Sequence, residues 1–265
     1  MVDFATRSGS WPGEEEDLEN AFNQLDHRCL QAQGIDDPAS PPVRIPAPED
    51  EAAAVGLPAR RSAGYGLADP APPQPEPSFT GSGEKLRAAQ FGPGSPHLPV
   101  VIEGNATVDT PSRGCIAEAH ERLAGDVATW TRLYYLPQRF DERMLAAMTH
   151  DARYSAALAA WSTCMRSRGY SYNSPDDAES ALRSQYQKLG VTTALKRQEV
   201  RAAVDDGDCQ LAEHLPTRLL QIRRSLVASL SRSDLETLAA MSRLRRDAVA
   251  RARSVLATAA PSKRP

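Results

Sequence analysis

The chain has 265 residues, of which 41% are hydrophobic, and a formal net charge of −3. The mean hydropathy is −0.47, and no stretch approaches the roughly 18 apolar residues of a membrane-spanning helix, so no such helix is predicted. Most of the 21 prolines lie in the first 140 residues, which places the main core in the C-terminal half.

The N-terminal segment 1–35 is predicted to be a polar tail followed by a helix from Glu14 to Gly34. Acidic residues favour a helix N-terminus, and Gly34 can end the helix. The apolar positions recur at three- and four-residue spacing and are Leu18, Phe22, Leu25 and Cys29. Met1–Thr6 shows no pattern of a secretion signal.

Residues 36–98 read as a linker rich in proline and glycine. Its prolines, densest at Pro70–Pro77, disfavour regular structure and favour extended polyproline II segments. Gly64–Leu67 is expected to form a small ordered island, and Glu84–Gln90 a short helix.

Residues 99–129 are predicted to hold a hairpin and a helix. Pro99–Glu103 and Ala106–Asp109 are short strand candidates, joined by the turn dipeptide Gly104-Asn105. A helix from Cys115 to about Ala124 follows, and Gly125 can end it.

From residue 130 to 265 the pattern is almost entirely helical. Phe140–Arg168 is predicted as one long helix with an apolar stripe. Ser174 and Pro175 mark the next helix start, with serine at the N-cap and proline at the first helical position. Ser233 with Glu236 forms a capping box. Helices are expected at 140–168, 176–189, 193–214, 216–231 and 233–260.

These elements predict a mainly α protein. A C-terminal antiparallel helical bundle follows a Pro-rich extended N-terminal region, with one short β-hairpin between them. The predicted segments are 1–35, 36–98, 99–129 and 130–265.

The four cysteines form no Cys-x-x-Cys pair, which argues against a zinc ribbon or a thioredoxin-type centre. Of the three possible pairings, Cys29–Cys115 and Cys164–Cys209 join local modules. A Cys-apolar-x3-Gly-apolar pattern repeats at Cys29 and Cys164, which favours two disulfides built alike. The alternative is four reduced thiols that pack as small hydrophobes.

No residue is assigned a catalytic, cofactor-binding or metal-binding role, and no cofactor is predicted. The five histidines lack suitably spaced partners, and no nucleotide-binding, zinc-protease or hydrolase motif occurs. Asp205, Asp206 and Asp208 could hold a cation, but they lack the spacing of a calcium loop, so a solvated helix end is the favoured interpretation.

Five aromatic residues could line a ligand groove, because tyrosine presents an apolar face and a hydroxyl group. They are Tyr134, Tyr135, Trp161, Tyr170 and Tyr172. The alternative is that these side chains pack the helical bundle.

Charge is distributed unevenly. Residues 1–60 hold twelve acidic and four basic residues, whereas residues 210–265 hold eleven basic and four acidic ones. An intramolecular contact, an anionic partner surface or two solvated faces would each explain this asymmetry, and charge runs are usually solvated faces. The arginines from Arg243 to Arg253 could also meet phosphates, but no DNA-binding motif accompanies them and nucleic acid is not favoured as a partner.

Several segments resemble a family of actinobacterial exported proteins and lipoproteins. Trp161-x2-Cys164-Met165-x3-Gly169-Tyr170, followed by Asp205-x3-Cys209, is similar to its Cys-Met-x3-Gly-aromatic signature. Gly114–Gly125 and Gly64–Leu67 also look like that family, and the resemblance covers roughly residues 20–215. It implies a secreted or membrane-anchored protein, sometimes beside transporters or peptidoglycan-binding proteins, and it supplies no catalytic residues.

The sequence therefore favours a non-enzymatic, extracytoplasmic binding or scaffold protein of the actinobacterial cell envelope, with a protein or cell-envelope partner and two disulfides. The alternative is a cytosolic helical accessory or biosynthetic protein with free thiols, and a third possibility is a nucleic-acid regulator. Without export, the location would be the cytoplasm.

Overall fold

A computed structural model describes residues 1–36, 38–45, 50–68 and 82–258. These residues form a mainly α fold with one antiparallel two-stranded hairpin, so the predicted fold class is confirmed. The elements are α1 Val2–Thr6, α2 Trp11–Ala32, α3 Glu51–Val55, α4 Leu57–Ala63, α5 Ser82–Phe91, β1 His97–Glu103, β2 Ala106–Pro111, α6 Gly114–Ala124, α7 Val127–Met148, α8 Ala152–Ser167, α9 Pro175–Leu189, α10 Thr193–Ala212, α11 Leu215–Leu226 and α12 Arg232–Ala257.

The chain forms two compact units. Unit 1 comprises the described residues of Met1–Ala47, Glu76–Met144 and Ser229–Pro265, and unit 2 those of Pro48–Pro75 and Leu145–Ala228. This partition differs from the four segments proposed from the sequence, whose boundaries stay a prediction. None of the described helices is both long and apolar enough to cross a membrane.

In unit 1, α2 lies against both α6 and α12, and α5 packs on α6. Fully buried Leu30 and Leu123 belong to its core, together with Cys115. The hairpin pairs Val100 with Val108 and is irregular between Val101 and Glu103, beside the turn. The predicted hairpin is thus confirmed, with each strand slightly longer than expected.

The contact between α2 and α12 explains the uneven charge of the chain. Arg245 is nearly buried, and it donates hydrogen bonds to Glu14 over 2.9 Å and to Glu15 over 2.8 Å. Arg253 pairs with Asp17 over 2.7 Å. The acidic start of α2 therefore faces arginines of α12, and the interpretation as two solvated faces is wrong for these residues.

In unit 2, α10 contacts α3, α4, α8, α9 and α11. One buried cluster contains Trp161, Met165 and Cys209, and a second contains Leu182 and Leu195. Ala157, Trp161 and Met165 of the first cluster recur at helical spacing and belong to the apolar stripe that the sequence predicted.

The single helix predicted over residues 140–168 is wrong in two respects. The helix begins before residue 140, and it is interrupted after Met148. Helix α7 begins at Val127, continues through Pro137 and ends at Met148. Leu133 and Leu136 are buried beside the proline, and that burial offsets the roughly 3 kcal/mol cost of proline inside a helix.

Asp151 starts the separate helix α8. Its side chain accepts a hydrogen bond from the Arg153 backbone N–H over 2.8 Å, as an N-cap residue does. This hydrogen bond and those from the Arg153 side chain lower the pKa of Asp151 to about 2. Aspartate is a poor helix-interior residue for the same reason that it is a good cap.

Two short helices lie where the prolines predicted only extended chain. Asp50 caps α3 by accepting from the Ala53 N–H over 2.8 Å, and Pro58 stands in the first turn of α4, where a helix tolerates proline. Residues 38–45 carry no regular structure. The densest prolines, Pro70–Pro77, lie outside the described residues.

The helix start predicted at Ser174 is confirmed, whereas the start predicted at Ser233 is two residues too late. Ser174 caps α9 by accepting from the Asp177 N–H over 3.0 Å. Before α12, however, the cap is Ser231, which accepts from the Asp234 N–H over 3.1 Å. The polar tail expected over residues 1–13 contains α1 and the first residues of α2.

Candidate functional site

An aromatic pocket in unit 1 is the strongest candidate for a functional site. Its volume is about 290 Å³. Helix α2 places Glu19 and Phe22 on one face, because residues three apart are neighbours on a helix. The lining residues are Glu19, Phe22, Val108, Asp109, Thr110, Pro111, His120, Trp130, Thr131, Tyr134 and Tyr135.

Three rings from three helices meet in this pocket. His120 of α6 stacks on Trp130 of α7 with centroids 4.9 Å apart and planes 16° apart. Phe22 of α2 lies 5.3 Å from His120 and 6.1 Å from Trp130. These separations are those of favourable aromatic pairs, so one wall of the pocket is a group of three packed rings.

Tyr134 and Tyr135 form the outer part of the pocket. Their rings meet edge to face with centroids 4.9 Å apart, and both side chains are exposed, at 41% and 36%. Burial and the nearby Glu19 raise the pKa of Tyr134, so the hydroxyl stays protonated at neutral pH. The two tyrosines of the sequence prediction therefore line a pocket with partners that the sequence did not indicate.

Glu19 is the partly buried carboxylate of the pocket, whereas Asp109 is exposed. Within the described residues Glu19 has no hydrogen-bond or ion-pair partner. Partial burial, with a smaller contribution from Glu15, raises the pKa of Glu19 above its ordinary value of 4.5. A carboxylate held partly out of water without a partner destabilises the fold.

His120 is neutral at physiological pH. Only 8% of it is exposed, and burial lowers its pKa to about 4. Its Nδ1 atom is buried and has no hydrogen-bond partner in the described structure. The pocket thus contains two polar groups without a hydrogen-bond partner in the described structure, the Glu19 carboxylate and the Nδ1 atom of His120.

The other three residues of the predicted groove, Trp161, Tyr170 and Tyr172, belong to unit 2, where the first two have protein hydrogen-bond partners. The indole of Trp161 donates to Asp206 over 2.9 Å in a buried position. Tyr170 stacks on Tyr172 with centroids 5.7 Å apart, and its hydroxyl donates to Asp205 over 2.9 Å. That hydrogen bond adds to the effect of burial, which raises the pKa of Tyr170 to about 12.

Asp206 is the centre of a buried polar network in unit 2. It is fully buried and accepts hydrogen bonds from Arg60, Tyr65, Trp161 and Gln210. Burial and the Asp206 charge raise the pKa of Tyr65. Because its oxygens are occupied by protein donors, Asp206 acts as an anchor for the segment after α4.

Glu199, about two helical turns before Asp206 on α10, anchors the same segment. Also fully buried, it accepts from the backbone N–H groups of Tyr65 and Leu67 over 2.9 and 2.8 Å, and from the Tyr186 hydroxyl over 2.6 Å. Gly64, at φ +66°, lies so close to Glu199 that a Cβ atom would stand 2.8 Å from its Cγ. The Gly64–Leu67 island predicted from the sequence is therefore fastened to α10.

The carboxylates of the acidic cluster beside Cys209, Asp205 and Asp208, also accept hydrogen bonds from protein donors. Arg168 donates to Asp205 over 2.7 Å and to Asp208 over 3.3 Å, while Asp206 belongs to the buried network. Among the residues that the structure describes, no group of three or more potential metal ligands occurs.

Each unit contains one disulfide. Cys29–Cys115 joins α2 to α6 with Cα atoms 5.5 Å apart, and Cys164–Cys209 joins α8 to α10 with Cα atoms 5.7 Å apart. This is the pairing that the sequence favoured over four reduced thiols.

The two disulfides are attached to the same kind of helix end. Gly34 and Gly169 take left-handed backbone angles, with φ +70° and +91°. After each glycine, Ile35 or Tyr170 donates its N–H to the carbonyl five positions earlier, over 3.0 and 3.1 Å. This is the Schellman arrangement, and it explains the repeated Cys-apolar-x3-Gly-apolar pattern.

The sequence did not identify Glu19, Phe22, His120 and Trp130 as site residues. They come from three helices that are distant in sequence, and only Glu19 and Phe22 share a local spacing. No family model, curated protein or solved structure matches the chain.

Proposed function

We propose that this chain is a non-enzymatic binding or scaffold protein that works outside the cytoplasm, at the actinobacterial cell envelope. The observation that carries the proposal is the pairing of all four cysteines into two disulfides. Structural disulfides persist in oxidising compartments and are rare in the cytosol. The actinobacterial and envelope part of the proposal rests on the resemblance given above.

The aromatic pocket of unit 1 supports binding as the activity. Small-molecule sites are concave, mostly apolar and provided with a few polar groups, and this pocket combines four aromatic side chains with Glu19 and His120. In unit 2, by contrast, the buried carboxylates of Glu199 and Asp206 are bonded to protein donors.

Peptide mapping under non-reducing conditions tests the location. The protein is isolated from its own host with free thiols alkylated at lysis. We expect crosslinked peptides containing Cys29 with Cys115 and Cys164 with Cys209. Four alkylated cysteines would overturn the proposal and favour the cytosolic accessory protein instead.

A further inference from the structure

The aromatic pocket of unit 1 contains two features that no internal contact explains. One is the partnerless, partly buried carboxylate of Glu19, and the other is the buried Nδ1 atom of His120. Buried polar groups in proteins are nearly always hydrogen-bonded. The Nδ1 atom of His120 is an exception to this rule, whereas the Glu19 carboxylate is only partly buried, so its unpaired charge is accessible to a ligand in the pocket.

We propose that this pocket binds a small organic cation, an ammonium group with an apolar body, with Glu19 as its counter-charge and the rings as its walls. The inference rests on the proposed function as a binding protein. It names the class of ligand and the residue that selects it.

The ring faces favour a cation. The electron-rich face of an aromatic ring attracts an ammonium group within about 6 Å of its centroid, most strongly for tryptophan and tyrosine. Phe22, Trp130, Tyr134 and Tyr135 all line the pocket. Their faces would also cover the alkyl groups of the ligand, whose burial adds to the affinity.

The charges around Glu19 also favour a cation. Glu15 of α2 adds negative potential, exposed Asp109 of β2 lines the rim, and neutral His120 adds no positive charge. The nearest arginine on α12, Arg245, is already paired with Glu14 and Glu15. An anion would therefore be repelled, and a neutral ligand would leave the negative charge of Glu19 uncompensated.

The volume limits the ligand to a small head group. At about 290 Å³ the pocket lies just below the range for drug-sized ligand sites, which begins near 300 Å³. A trimethylammonium or primary alkylammonium group fits this space, and a drug-sized molecule does not.

Calorimetric titration of the full, disulfide-bonded chain with choline tests the proposal. The neutral isostere 3,3-dimethylbutan-1-ol has the same shape without the charge. We expect choline to bind at least about tenfold more tightly than the alcohol, because only choline pairs with the carboxylate. Equal affinity for the two compounds, or no heat with choline at millimolar concentration, would overturn the proposal.

The variant Glu19→Gln keeps the shape of the side chain and removes its charge. We expect choline affinity to fall about tenfold or more, whereas Glu236→Gln, at an exposed glutamate of the same unit, leaves it unchanged. Unchanged affinity in Glu19→Gln would contradict the assignment. Because cysteine mapping is independent of choline binding, failure here is distinguishable from failure of the extracytoplasmic location.

The pH dependence supplies a second readout. The other titratable groups around the pocket are Glu15, Asp109, His120, Tyr134, Tyr135 and Arg245, and the charge of Arg7 acts on Tyr134. As pH falls toward the raised pKa of Glu19, the carboxylate takes up a proton and choline affinity drops. The drop begins above the ordinary glutamate value of 4.5 and is absent in Glu19→Gln. A pH-independent affinity between 7 and 4.5 would count against Glu19 as the counter-charge.

Discussion

The two units of this protein have similar disulfides, but the Glu199–Asp206 network of unit 2 and the aromatic pocket of unit 1 differ in how their polar groups are bonded. Each contains one helix–helix disulfide beside a glycine-capped helix end. In unit 2, Glu199 and Asp206 are fully buried and bonded by protein donors. In unit 1, Glu19 has no partner among the described residues, and the buried His120 Nδ1 has none either.

This difference separates a structural role from a binding role. A saturated polar network fixes one arrangement of the chain and offers nothing to a ligand. A carboxylate without a partner, such as Glu19 in the aromatic pocket, lowers the stability of the fold unless a bound cation pairs with it. The following predictions test this contrast, beginning with the largest expected effect.

Removal of the Cys164–Cys209 disulfide should destabilise unit 2 strongly. The bridge closes a loop with a sequence separation of 45, and chain entropy gives about 4 kcal/mol for such a loop. We expect that loss of unfolding free energy in Cys164→Ser/Cys209→Ser, measured by urea denaturation. A loss below about 1 kcal/mol would show that the helices of unit 2 hold together without the bridge.

Asp206→Ala should break the buried network. Arg60 and Trp161 would lose their shared acceptor, and removal of one partner of a buried ion pair typically costs about 3 to 5 kcal/mol. Urea denaturation measures the change. Asp205→Ala is the matched control, since that carboxylate is only partly buried and should change stability by about 1 kcal/mol or less. Equal effects at the two positions would contradict the anchor role of Asp206.

Replacing either capping glycine with alanine should destabilise the protein by a similar amount, because the two helix ends have the same backbone geometry. At Gly34 and Gly169 the backbone is left-handed, where a Cβ costs about 1 to 2 kcal/mol. Thermal unfolding of Gly34→Ala and Gly169→Ala should show similar losses. Gly13→Ala, inside α2 with open space around the added methyl group, should instead stabilise by about 0.5 to 1 kcal/mol. Gain or neutrality at either capping position would break the parallel.

Glu19→Gln should stabilise unit 1 slightly at neutral pH. The raised pKa of Glu19 means that the folded state prefers the protonated form, so its contribution to stability is present at low pH and lost as pH rises through the raised pKa. Glutamine imitates the protonated form. We expect a gain of about 0.5 kcal/mol at pH 7, since solvent screening reduces the effect, and a smaller gain near pH 4.5.

Local chemistry was readable from the sequence. Ser174 at the start of α9 and the glycine after each cysteine motif act through neighbours a few residues away, so their spacing predicts their role. The predicted helix start at Phe140 was wrong because α7 continues through Pro137, where the packing of Leu133 and Leu136 overrides local propensity.

The candidate site was only partly readable. The sequence predicted Tyr134 and Tyr135 as groove residues because tyrosine has an apolar face and a hydroxyl group. Nothing in the local sequence distinguishes Glu19 from the other acidic residues at the start of α2. Its partners in the pocket come from α6, α7 and β2, and no local spacing links them. The attachment of Gly64–Leu67 to Glu199 spans more than 130 residues and was equally hidden.

The most direct test of the contrast is to measure the melting temperature and the choline affinity of Glu19→Gln side by side with the parent chain at pH 7. We expect a higher melting temperature together with weaker binding, which is the signature of a carboxylate kept for a ligand. A lower melting temperature would show that Glu19 stabilises the fold like the carboxylates of unit 2 and would contradict the account.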